Sequence, residues 1–267
     1  MIDAIAQHNP PLRLQHRFLK KSCRSPRVLE AVAAYLAAYC DHGGISAAET
    51  SAAIDKFVAR YQRDLTAFQK TGRYPRELGQ DDFDLSRTEY DLFLIASMLF
   101  TRHRFRIAEL LAGQEPSRAA AAFIGVGSGV ELALAPRARH SVAFDLSVSD
   151  FVRGRFPGVV FQERHFTGGQ EAAYDVVYAI ELLEHLDDPQ ALLRDVHAAL
   201  VPGGTFVCTI AVNVPQFDHA LNMEAGAFEA AVSELFAVRY MERIPHDYRM
   251  SGIDAENVMY HLERKAK

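Results

Sequence analysis

A chain of 267 residues, 49% apolar and 24% charged, is long enough for one large domain or a core with a smaller companion, and has the composition of a globular protein. No run of about 18 apolar residues predicts a membrane span; the start shows no secretory signal; and Cys23, Cys40 and Cys208 form no C-x-x-C, so neither a disulfide frame nor a zinc site is expected and a reducing cytoplasm fits best. The net charge of −5 divides into 16 Lys/Arg against 13 Asp/Glu over residues 1–113 and 13 against 21 beyond them, and the acidic second part argues against nucleic-acid binding, which needs phosphate neutralisation.

Residues 1–113 read as helices. The segment from residue 13 to 27 gathers Arg13, Arg17, Lys20, Lys21, Arg24 and Arg27. Such a cluster is expected as a solvated helix face, or as a docking site for an acidic partner, such as a carrier protein, or a phosphorylated substrate. Ser25-Pro26 sets a cap residue before a first-turn proline; "RVLEAVAAYLAAYC" follows, and "HGG" at 42–44 ends that helix. Ser46 with Glu49, and Ser86 with Glu89, are capping boxes, each preceding an apolar-periodic run. The second run, "YDLFLIASMLFTRHRFRIAELLAG", predicts one long helix closed by Gly113 as its C-cap. Between the two, "QKTGRYPRELGQDDFD" reads as a polar loop.

From Ala119 the texture alternates. "AAFIGV", "HSVAFDL", "GVVFQE", "YDVVYAI" and "GTFVCTIAV" are short apolar runs, most separated by helical segments such as "DPQALLRDVHAAL". This pattern predicts a parallel sheet covered on both faces. "FAVRYMERI" and "NVMYHLERK" lack an intervening helix, which predicts an antiparallel pair at one edge. The expected division is a helical cap over residues 1–113 and a nucleotide-binding α/β unit over residues 114–267.

Gly125-Val126-Gly127-Ser128-Gly129 follows the first strand and opens a helix, a place where glycines let backbone approach a ligand closely. Asp145 ends the next strand, where an acid accepts hydrogen bonds from a ribose diol. Together "IGVGSG", "FDLS", "YDVVYAIELLEHLDDP" and "LVPGGTFVCTIA" resemble the class I S-adenosylmethionine-dependent methyltransferases over roughly the last 150 residues. The resemblance implies a seven-stranded Rossmann-like core with an antiparallel edge, S-adenosylmethionine as cofactor, and methylation of O, N or C on a small metabolite, in the manner of natural-product biosynthesis enzymes. It implies that Gly125, Gly127 and Gly129 line the methionine part, that Asp145 binds the ribose, that Glu163 lies near the adenine, and that Ile180 and Glu181 stand at the mouth of the site.

One position departs from the family. Two residues before Gly125, where the family carries an acid near the methionine end, stands Phe123. Drift explains it. So does a site that needs a neutral methionine amine, as in the azetidine-2-carboxylate synthases that resemble this family, which cyclise the cofactor and release methylthioadenosine. For catalysis the candidates are His219 as general base, Tyr178 as an aromatic face toward the sulfonium, and Asn213 near a strand end. Glu181, Glu184 and His185 share the first turn after the fourth strand, and with His219 they resemble the two-Glu, two-His set of metal-dependent small-RNA methyltransferases. The short spacing and the missing basic surface argue against that enzyme, and no metal is expected. A non-catalytic cofactor-binding module is the remaining alternative.

Overall fold

The computed structural model describes residues 1–80, 82, 84–115, 119–168, 172–247 and 253–266. Asn9 separates the first two helices, α1 (Ile2–His8) and α2 (Pro10–Ser22): its side chain accepts from the Leu12 N–H, and Pro10 occupies the first helical position. α3 (Pro26–Gly43) ends on Gly44 in the left-handed region. α4 (Ala47–Thr71) and α5 (Arg87–Phe100) both start with the expected capping boxes, Ser46 with Glu49 and Ser86 with Glu89. A short 3-10 turn, Pro75–Leu78, lies in the predicted loop.

The long helix expected to end at Gly113 is instead two. Thr101 adopts extended backbone (φ −120°, ψ 137°), closing α5 and starting α6 (Arg102–Ala112). Its N–H and its hydroxyl both return to the Ser97 carbonyl. The break redirects the chain so that His103 and Arg104, at the start of α6, are buried.

The sheet comprises β1 (Ala120–Ile124), β2 (His140–Asp145), β3 (Val159–Glu163), β4 (Tyr174–Ala179), β5 (Leu200–Val212), β6 (Phe236–Pro245) and β7 (Glu256–Arg264), in the order β3-β2-β1-β4-β5-β7-β6. β3 to β5 pair in parallel, and β7 runs antiparallel to both neighbours, so the expected antiparallel edge is present. α7 (Val130–Leu134), α8 (Asp150–Arg155), α9 (Pro189–Ala199) and α10 (Ala225–Val232) connect strands.

One buried cluster joins α3, α5 and α6 to Phe123, Tyr178, Val207 and Met259 on one sheet face; a second packs α9 and α10 on the other. A third sets Phe57, Tyr61 and Leu65 of α4 against Val214 and Phe217, after β5. Each fully buried large apolar side chain contributes about 1.5–3 kcal/mol, so the helical segment and the sheet are held by a common core. The basic cluster lies exposed on and after α2, with Leu14 and Phe18 exposed among its cations. Among the described residues no helix is long and apolar enough to cross a membrane.

Candidate active site

Ligands of parallel sheets bind beyond the carboxyl ends of the strands, and there a cavity of about 860 Å³ opens. Gly125, Gly127, Asp145, Ile180, Glu181 and His219 line it. Gly127 has φ 52°, and its N–H donates to Asp145 Oδ2 at 2.9 Å. The Ser147 N–H donates to Oδ1 at 3.0 Å. A carboxylate has about four acceptor sites, so Asp145 keeps capacity for a diol. Gly129 does not line the cavity. It has φ 77°, and a Cβ there would lie 2.8 Å from Tyr35 Oη and from Val152 Cγ2, so glycine is required for packing of the loop.

The cap clamps this loop, which the sequence did not indicate. The Tyr35 hydroxyl of α3 donates to the Ser128 carbonyl at 2.8 Å, and Arg87 of α5 donates to the Gly127 carbonyl at 3.0 Å. Asp91 holds Arg87 at 3.0 Å and accepts from the Tyr39 hydroxyl.

Besides Gly129, three expected site residues do not line the cavity. Glu163 does not line the cavity; it accepts from the Val148 N–H at 2.9 Å and pairs with Arg153 at 3.0 Å. The exposed apolar residue beside Asp145 is Leu146, which does line it. Asn213 does not; it makes a left-handed corner (φ 53°) bonded to Asn222 and the Asp254 carbonyl. Tyr178 is buried in the sheet core, stacked on Phe123 with ring centroids 4.8 Å apart, and burial pushes its hydroxyl up to about 12. Tyr178→Leu should therefore lower the melting temperature through a core cavity but leave cofactor affinity within about twofold, whereas a ring on a sulfonium would be worth about 1–2 kcal/mol. Calorimetric titration of the folded variant separates the two.

Phe123 is 6% exposed and also faces the core. Phe123 therefore presents no side chain to the cavity, whereas Glu131 and Glu181 line it. Glu131, in the first turn of α7, lines the cavity, and burial, partly offset by Arg104, pushes its carboxyl up to about 6. Glu181 has φ 51°; its carboxylate pairs with Arg104 Nη1 at 2.9 Å and accepts from Asn257 at 2.8 Å and Thr209 at 3.0 Å. Arg104 also approaches Glu131 at 3.9 Å, and its buried Nε has no hydrogen-bond partner among the described residues. Arg104 was not anticipated. Its signal was its place three and four residues before the buried Ile107 and Ala108, on the apolar face of the run.

Away from the loop the cavity has an aromatic wall, where Phe57 and Phe93 stack at 3.4 Å beside Tyr61 and Leu65. Opposite lies a polar group. Leu183–His185 form a 3-10 turn, not an α-helical one, so the carboxylates of Glu181 and Glu184 do not share a face: Glu181 meets Arg104, and Glu184 meets the histidines. The Glu184 carbonyl accepts from the Ala220 and Leu221 N–H groups, pinning the loop that carries His219. The His185 and His219 rings meet edge to face at 4.9 Å. Burial, then Glu181, raises the Glu184 carboxyl; burial, then His185, lowers His219 to about 4. For His185 the burial effect is outweighed by Asp218 and Glu184, which raise it. Asp218 accepts from the Tyr90 hydroxyl and from Gln216, both at 2.7 Å.

The family model described as "Methyltransferase domain" matches residues 107–248. The chain is 29% identical over 137 residues, 47% of its length and 55% of the relative's, to the ubiquinone biosynthesis O-methyltransferase of Pseudomonas aeruginosa (strain UCBPP-PA14). It is 33% identical over 98 residues, 33% of its length and 41% of the relative's, to the protein of that name from Aeromonas salmonicida (strain A449). The matches thus span about half the length of these curated relatives. Among solved structures, geranyl diphosphate methyltransferase in complex with SAM superposes with TM-score 0.52 at 14% identity, over 66% of this chain and 90% of that one. The [4+2]-cyclase SpnF superposes with TM-score 0.50 at 15% identity, over 61% and 82%. These likenesses establish the fold, on which different chemistries are built.

Proposed function

Because this chain belongs to the methyltransferase-domain family, we propose that it transfers the methyl group of S-adenosylmethionine to a heteroatom of a small acceptor enclosed by the cap helices. The observation that carries the reading is a single cavity running from Gly125, Gly127 and Asp145 to the aromatic wall of α4 and α5. The residues fit the cofactor: Asp145 keeps free acceptor sites for the ribose, the open edge at Gly127 admits the chain, and Arg104 with Glu131 and Glu181 complements a zwitterionic amino-acid tail. When bound, the cofactor supplies a methyl group on a positively charged sulfur.

The protein's own contribution is alignment and exclusion of water, together worth several kcal/mol. The Tyr35 and Arg87 clamps fix the loop, and Phe57, Tyr61 and Phe93 close the acceptor side. The curated relatives' printed name supports oxygen as the accepting atom.

Asp145→Ala should weaken cofactor binding by about 1–3 kcal/mol, as charge-assisted bonds to the ribose are lost. It also frees the Gly127 N–H and loosens the loop. Calorimetry with S-adenosylmethionine checks this; unchanged affinity would remove Asp145 from the site. The decisive assay supplies the cofactor with and without a panel of small hydroxyl and amine acceptors. Acceptor-dependent S-adenosylhomocysteine is expected. Methylthioadenosine formed without an acceptor would replace methyl transfer by cyclisation.

A further inference from the structure

The cavity's polar end holds more ligand capacity than methyl transfer by alignment requires. Glu184 is 1% exposed and His219 4%, and Glu184 Oε2 and His219 Nδ1 have no hydrogen-bond partner among the described residues. Leaving such atoms unpaired in a native interior is costly. Both side chains line the cavity, and with His185 they place one ligand atom each within 4.8 Å of one another.

The His185 imidazole is also oriented. His185 Nδ1 lies 2.9 Å from the Asp218 carbonyl, so Nδ1–H donates there and the Nε2 lone pair is left. His219 Nδ1 has no hydrogen-bond partner among the described residues, so this buried ring nitrogen is unspent. A ring nitrogen tied to a backbone carbonyl, with the other free, is the arrangement that holds a histidine ready to ligate a metal.

We propose that Glu184, His185 and His219 bind one divalent first-row transition ion, with its open coordination position facing the acceptor end of the cavity. Two nitrogens and one carboxylate suit Zn²⁺, Co²⁺, Mn²⁺ or Fe²⁺ better than Mg²⁺ or Ca²⁺, which prefer all-oxygen shells. Ligand bonds of about 2.0–2.2 Å require the three atoms to close by roughly an ångström or more, within the reach of side-chain rotation about χ angles. The set differs from the two-Glu, two-His pattern considered from sequence, because the Glu181 carboxylate is taken by Arg104, Asn257 and Thr209. It departs from the expectation of no metal on the strength of orphaned atoms that only the fold makes visible.

The ion specifies the acceptor, a consequence that rests on the methyl-transfer reading. A cation there lowers the pKa of a bound hydroxyl. The acceptor is then a hydroxyl compound. Its O–H proton leaves to solvent, an O–CH3 bond forms, the S–CH3 bond breaks, and S-adenosylhomocysteine departs. No oxidant or reductant is involved.

The test uses the full chain, stripped with a chelator and dialysed against micromolar Zn²⁺, Co²⁺, Mn²⁺ or Mg²⁺. Elemental analysis should find about one Zn²⁺ or Co²⁺ per chain, with Co²⁺ showing visible absorption of a low-coordinate site, and Mg²⁺ failing to compete. His219→Ala and Glu184→Gln should weaken Co²⁺ affinity by more than the roughly 10- to 100-fold that loss of a mere outer-shell partner costs, while S-adenosylmethionine titration of the same samples stays unchanged. That titration also separates failure of the ion from failure of the methyltransferase reading. A folded wild-type protein that retains no Zn²⁺ or Co²⁺, or variants that bind Co²⁺ as tightly as wild type, would overturn the site. If a variant does not fold, the wild-type stoichiometry and Co²⁺ spectrum decide alone.

Discussion

Arg104→Met should be among the most damaging single substitutions in this chain, lowering stability by about 3–5 kcal/mol, the cost of breaking a buried ion pair by removing one partner. Methionine fills the volume, so the loss is electrostatic. Without the guanidinium, Glu181 and Glu131 remain partly desolvated with their cation gone. The Glu131 carboxyl, raised by burial and held down in part by Arg104, would then rise further. A folded-state pKa raised above the unfolded one gives a contribution present below the unfolded pKa and lost as pH rises through the folded one. Glu131 already stands at about 6 in the intact protein. The deficit of Arg104→Met should thus be largest at neutral pH and shrink toward pH 4–5. Adding Glu131→Gln should recover part of it. Urea unfolding across that pH range checks the sign. At neutral pH the variant that stays folded should also bind S-adenosylmethionine about 10- to 100-fold more weakly, from a lost charge-assisted bond. Wild-type stability at neutral pH would mean that the pair is solvated and not part of the site.

Phe123→Glu should fail to fold or lose at least about 4 kcal/mol, against a typical total of 5–15. Truncating a buried aromatic costs about 3–5 kcal/mol, and a carboxylate placed against Tyr178 in the cluster beneath α3, α5 and α6 adds desolvation. The family's acid at this position suggests that glutamate restores something; the packing says otherwise. Phe123→Leu, which keeps most of the volume, should lose only about 1–2 kcal/mol and retain cofactor affinity. Thermal melts and calorimetry on both variants decide. A folded Phe123→Glu with tighter cofactor binding would put residue 123 in the cavity and revive the question of the methionine amine.

Much of the fold was written in local pattern. Alternating apolar runs and helices specified the parallel sheet, and the pair of strands without a helix between them specified its antiparallel edge, because burial on both faces leaves no polar alternation to read. The capping boxes at Ser46 and Ser86 were legible for the same reason: they are bonds between residues three apart. So was the position of Gly125, Gly127 and Asp145 at the cavity, which follows from one strand-to-helix turn and the end of the next strand. What local pattern cannot report is which way a side chain faces when several elements compete for it. Tyr178 and Phe123 sit on the strands that form the site yet point into the core shared with the cap. Thr101 breaks a run of helical periodicity because the chain must turn there, and that turn buries Arg104. Asn213 and Glu163, each at a strand end, spend their polar atoms on loop corners. Glu184, His185 and His219 were visible as residue types. Only the tertiary structure showed that two are orphaned and all three converge, because unmet hydrogen bonds belong to the folded interior and leave no trace in a sequence where water satisfies every group.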